Sequence, residues 1–119
     1  MTEADIQRAI VAYLRTVLPS AIVTHVPNQV ERGGIAAMRE VKRKKDMGML
    51  PGFPDILILS GGRGYTIEVK APGGSLGKAQ RAVRDVLARQ GIPFGVARSI
   101  DDARALLAEW GIMGREVAE

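Results

Sequence analysis

Residues 55–70 constrain the fold more than any other stretch. Ile56-Leu-Ile-Leu59 is an unbroken apolar run, Gly61-Gly-Arg-Gly64 is glycine-rich, and Tyr65 to Lys70 resumes a β-prone pattern. Two such runs around a glycine turn form a β-hairpin. The unbroken character of 56–59 predicts a strand buried on both faces, so helices must cover the sheet on each side.

The flanking segments supply those helices. Thr2 and Asp5 have the spacing of a capping box, and Ile6, Ile10, Tyr13, Leu14, Val17 and Leu18 recur at helical intervals. A helix over 2–18 follows, ended by Pro19 and Ser20. Ala21 to Val26 reads as a strand broken by Pro27 and Asn28. Ile35 to Lys45 reads as a second helix, and Met49-Leu-Pro-Gly-Phe-Pro54 as a loop. Ser75 is placed to cap a third helix running to Gln90, with Gly91 as its stop. Phe94 to Ala97 is a fourth strand, and Ser99 with Asp102 opens a helix ending at Trp110-Gly111. The element order is α-β-α-β-β-α-β-α: an α/β fold with a mixed four-stranded sheet flanked by helices. At 119 residues the chain fits one domain over 1–119.

Composition removes several chemistries. With no cysteine and only His25 among histidines, disulfides, iron–sulfur clusters, thiol nucleophiles and multi-histidine zinc sites are excluded. His25 reads as a strand residue without a catalytic role. No apolar run approaches the roughly 20 residues that cross a bilayer, and the acidic, amphipathic start is unlike a signal peptide. A soluble cytoplasmic protein without membrane contacts is expected. The net charge is +4. Residues 32–45 hold six basic side chains and one acid, a net +5, so the rest of the chain sums to −1.

The chemistry-bearing residues lie at one end of the hairpin. With 61–64 as a four-residue turn, Ser60 faces Tyr65, Leu57 faces Glu68 and Asp55 faces Lys70. Opposed residues share a face, as do residues two apart. Asp55, Glu68 and Lys70 therefore emerge together, provided the turn parity holds. Adjacent carboxylates repel unless one keeps its proton or a hard cation lies between them. Magnesium accepts one or two carboxylates while retaining waters, and the Val69 carbonyl is a further oxygen. Glu3 falls on the apolar arc of the first helix, and Gln80 lies beside the apolar arc of the third. Each alone reads as an ordinary flanking residue; together they converge on one site.

Pro54-Asp55, a hairpin, and Glu68-Val69-Lys70 resemble the PD-(D/E)xK nuclease superfamily, with its restriction-endonuclease-like core. Gly52-Phe-Pro-Asp55 with Gln80 on the following helix narrows the resemblance to the virus-type replication and repair nuclease family, VRR-NUC, in its stand-alone phage-type form. The resemblance implies an Mg²⁺- or Mn²⁺-dependent endodeoxyribonuclease with no small-molecule cofactor. It implies Asp55 and Glu68 as metal ligands, Lys70 as the catalytic lysine, and Gln80 and Glu3 as supporting site residues. It further implies a homodimer that resolves branched, Holliday-junction-like DNA in a bacterial or phage-infected cell. Arg32, Arg39, Lys42, Arg43, Lys44 and Lys45, extended by Lys78, Arg81 and Arg84, form the expected phosphate track, and Asn28 is a weak candidate to reach into the site. A flap-type nuclease and a non-catalytic DNA-binding module with structural ion pairs are the competing readings.

Overall fold

A computed structural model describes residues 1–27 and 33–112. The elements are α1 (Glu3–Val17), β1 (Ile22–His25), α2 (Gly34–Asp46), β2 (Ile56–Ser60), β3 (Arg63–Val69), α3 (Lys78–Arg89), β4 (Phe94–Ala97) and α4 (Ile100–Trp110). The sheet order is β1-β2-β3-β4. The first two pairings are antiparallel, and β4 joins β3 in parallel. That parallel step needs a crossover, which α3 supplies. The expected element order and mixed sheet are both present.

Local chemistry sets the boundaries. Thr2 and Asp5 form the reciprocal capping box at α1, Ser99 accepts from the Asp102 amide at α4, and Gly111 ends α4 with positive φ. Two boundaries differ from expectation. The hairpin turn is Gly61-Gly62, both at positive φ, as a tight two-residue turn requires, so Ser60 pairs with Arg63. Helix α3 starts at Lys78 with Gly77 as its cap rather than at Ser75, because the Gln80 side chain does the capping from within the helix.

The core occupies one face of the sheet. Val23, Ile56, Ile58, Tyr65, Ile67, Val69 and Ala97 point toward Ile6, Ile10 and Leu14 of α1 and Ala103 and Leu107 of α4. Tyr65 stacks on Trp110 with ring centroids 5.4 Å apart. The opposite face is covered only in part. Leu59 is 45% exposed and Ile22 62%, so the expectation of two-sided burial fails toward the β1 edge: α3 lies beside β4. Helix α2 buries no side chain. The radius of gyration is 15.0 Å, above the roughly 13–14 Å of a compact domain this size.

Candidate active site

Asp55 and Glu68 meet at the end of the β2–β3 ladder. Ile56 pairs with Ile67, and one further step places Asp55 opposite Glu68, not opposite Lys70 as a four-residue turn requires. Shortening the turn by two residues moves the register by two and leaves the parity intact. Asp55, Glu68 and Lys70 therefore share a face, as expected.

Both carboxyls are nearly inaccessible: Asp55 is 4% exposed and Glu68 2%. Asp55 Oδ2 accepts from the Val69 amide at 2.8 Å, so a backbone donor of the next strand holds one of its oxygens. Glu68 Oε2 accepts from Gln80 Nε2 at 2.9 Å and lies 4.0 Å from Lys70 Nζ. Glu68 Oε1 is buried with no hydrogen-bond partner. Burial is the largest influence on Glu68, followed by the neighbouring Asp55 carboxyl; with a smaller push from Glu3 and against the opposing Lys70 charge, they raise its pKa to about 9.

Gln80 is held at both ends. Its Oε1 accepts from the Gly77 amide at 2.8 Å, satisfying one of the unpaired donors at the α3 N-terminus. With the carbonyl end committed to a donor, the amide nitrogen must face the Glu68 carboxylate. The approach of α3 depends on Gly52, which has φ +86°. A Cβ there would lie 2.5 Å from the Ala79 carbonyl carbon and 2.8 Å from the Gln80 nitrogen.

Two contacts escaped the sequence reading. His25 Nδ1 lies 3.0 Å from the Asp55 carbonyl oxygen, which also accepts from the Val26 amide at 2.8 Å. A carbonyl only accepts, so Nδ1 carries the proton. The other is the Val69 amide bond to Asp55. Both join segments distant in sequence and leave no periodic trace; only Gly52 just before Pro54-Asp55 hinted at a special backbone.

A family model described as the VRR-NUC domain matches residues 2–101. The chain belongs to the VRR-NUC family. Solved structures share its fold. A "VRR_NUC domain protein" aligns with TM-score 0.69 and 22% identity over 92% of this chain and 87% of that one. A "VRR_NUC domain" aligns with TM-score 0.60 and 16% identity over 91% and 97%. No curated protein matches.

Within this VRR-NUC domain the expected site residues separate into two groups. Asp55, Glu68, Lys70 and Gln80 are brought together, and Glu3 is near enough to act on Glu68 through its charge. Among the described residues, no three His, Cys, Asp or Glu side chains cluster as a metal-binding group. The pair nonetheless suits a hard cation: an orphaned buried carboxylate oxygen beside a second carboxylate is a donor set magnesium or manganese accepts.

The expected phosphate track is less uniform than its sequence suggests. Arg39, Lys42 and Lys45 are exposed on α2 and Lys44 is half-buried. Arg43 is ion-paired with Glu40 at 2.6 Å, and Arg81 Nη1 donates to the Leu76 carbonyl at 2.7 Å. Arg84 pairs with Asp85. Lys78 is exposed at the start of α3. Arg32 and Asn28 lie outside the described residues. No helix among the described residues is long and apolar enough to cross a membrane.

Proposed function

We propose that residues 1–119 form a divalent-metal-dependent DNA endonuclease that hydrolyses phosphodiester bonds, with branched, four-way DNA as its substrate. The observation that carries this reading is the buried, donorless Oε1 of Glu68 beside Asp55. A structural ion pair gives no reason to bury two mutually repelling carboxyls side by side against one lysine, whereas a cation between them removes the repulsion.

Asp55, Glu68 and the Val69 carbonyl would hold the Mg²⁺ or Mn²⁺. When bound, the ion polarises a phosphoryl oxygen and lowers the pKa of water. Lys70 positions the attacking water or offsets the charge that grows on the phosphate. Gln80 fixes the Glu68 carboxylate while capping α3, and the Val69 amide fixes Asp55. Glu3 adds negative potential that favours a cation at the pair. The basic face of α2 supplies sequence-independent affinity for the phosphate backbone.

We further propose a homodimer, the form that matches paired incisions across a symmetric junction. Its support is the apolar surface on and beside α2: Ile35, Met38, Met47 and Leu50 are between 56% and 75% exposed. The cytoplasm of a bacterial or phage-infected cell is where such DNA would arise. Mapping cut positions on a symmetric four-way junction tests the reading. Paired cuts flanking the branch point are expected; cuts on one strand would mark a flap enzyme, and no cleavage with either metal would leave a binding module.

A further inference from the structure

A concave strip runs along α1 where that helix faces the end of β1. It encloses about 340 Å³ and is lined by Gln7, Arg8, Val11, Ala12, Arg15 and His25, with no carboxylate among the lining residues. Positions 7, 8, 11, 12 and 15 follow helical spacing and so form one continuous face. That face adjoins the core stripe of Ile6, Ile10 and Leu14 without belonging to it. His25 closes the strip at the active-site end, through its bond to the Asp55 carbonyl.

The polar groups here are held in place. Arg15 donates from Nε and Nη2 to the Val23 carbonyl at 3.2 and 2.9 Å. These bonds cap an outward carbonyl of the edge strand β1, fix the guanidinium plane and leave Nη1 without an acceptor among the described residues. Arg15 has no ion-pair partner among the described residues. Arg8 pairs with Asp5 at 3.0 Å, with both side chains well exposed. Water and salt screen a pair this exposed, so another anion can compete for Arg8. Edge capping accounts for Arg15 alone. It does not account for Arg8, Gln7 and His25 sharing a concavity whose lining holds no carboxylate, with Asp5 at its rim on Arg8, beside a nuclease-type site.

We propose that this groove binds the phosphate backbone of the DNA strand passing beside the active site, as a contact surface separate from α2. The inference rests on the nuclease reading of the Asp55–Glu68 site. From Gln7 to Arg15 the helix rises about 12 Å, the axial length of about three to four nucleotides. Arg8 and Arg15 form charge-assisted bonds to phosphate oxygens, Gln7 adds an amide donor, and Val11 with Ala12 floors the strip against the sugars. None of these contacts reads a base edge, so the groove adds affinity and register without sequence preference.

The test is methylphosphonate interference on a four-way junction, with binding measured in an Asp55→Asn background. In the parent, neutral linkages within about four nucleotides of the cut, on one side of it, weaken binding several-fold. Gln7→Glu, which alters no side-chain hydrogen bond among the described residues, weakens binding to unmodified DNA and removes most of that position-specific penalty. The pair Arg8→Gln and Arg15→Gln flattens the slope of log K against log salt by about 2. Thermal melting of each variant shows that the fold is retained. If Gln7→Glu keeps the parent affinity and interference pattern while α2 variants lose binding, the groove is not a DNA surface, and acidic protein partners become its alternative. If the parent binds no DNA at low salt, the nuclease reading itself fails.

Discussion

Gly52 and Ala79 touch backbone to backbone, with no room for a Cβ between them: one built on Gly52 would stand 2.5 Å from both the carbonyl carbon and oxygen of Ala79. Neither contact atom is a flexible side chain that can swing aside. Gly52→Ala must therefore push the first turn of α3 outward, and it also forces alanine into φ +86°. We expect a stability loss of about 1–3 kcal/mol and a larger proportional loss of cleavage, because Gln80 is carried away from Glu68. Denaturant melts and single-turnover rates measured on the same samples check this.

Gln80 serves two masters through one side chain, the Gly77 amide and the Glu68 carboxylate. Gln80→Ala loses both, costing about 0.5–2 kcal/mol at the helix start and about 10²-fold in rate, on the scale of removing one preorganised donor. Gln80→Glu keeps the cap but sets a third carboxylate against Glu68. Its rate should fall at least as far while its stability with metal present stays closer to the parent. Equal rates for parent and both variants would remove Gln80 from the site.

The raised pKa of Glu68 carries a signed prediction about stability. Folding lifts this carboxyl from its ordinary 4.5 to about 9, so the folded state holds the proton more tightly than the unfolded chain. The resulting stabilisation is complete below pH 4.5 and is lost as pH rises through about 9. Metal-free protein should melt at progressively lower temperature across that interval, other titrations aside, and Glu68→Gln should flatten the decline. Added Mg²⁺ or Mn²⁺ should raise the melting temperature more at pH 8.5 than at pH 5.5, since the ion takes the proton's place. A metal-induced shift independent of pH would contradict this.

The basic residues of α2 should contribute unequally. Arg39, Lys42 and Lys45 are exposed and form no ion pair among the described residues, whereas Arg43 is engaged by Glu40. Neutralising Lys42 and Lys45 should flatten the salt slope of DNA binding by about 2, and Arg43→Gln should do less. Fluorescence anisotropy over a salt series measures both.

The site was legible because its decisive property is a parity. Asp55, Glu68 and Lys70 share a face whether the turn has two residues or four, so a register error of two left the grouping intact. The error arose because Arg63 and Gly64 look like turn residues, yet Gly61-Gly62 at positive φ suffices to reverse the chain. Local residue type points to Ser75 as the α3 cap, whereas Gln80 satisfies Gly77 from inside the helix. Two-sided burial of β2 failed because an apolar run reports what strand residues prefer, not whether a helix covers them; Leu59 stays open. The hold of His25 and Val69 on Asp55 is purely tertiary, and no local pattern encodes it.

The most direct measurement is cleavage of a labelled four-way junction by the parent and by Asp55→Asn, each with Mg²⁺, Mn²⁺ or EDTA. The parent should cut with either metal and not with EDTA, while Asp55→Asn should bind the junction yet cut at least about 10³-fold more slowly. Cleavage by the parent in EDTA, or an Asp55→Asn rate equal to the parent's, would contradict the assignment of this carboxylate pair as the catalytic metal site.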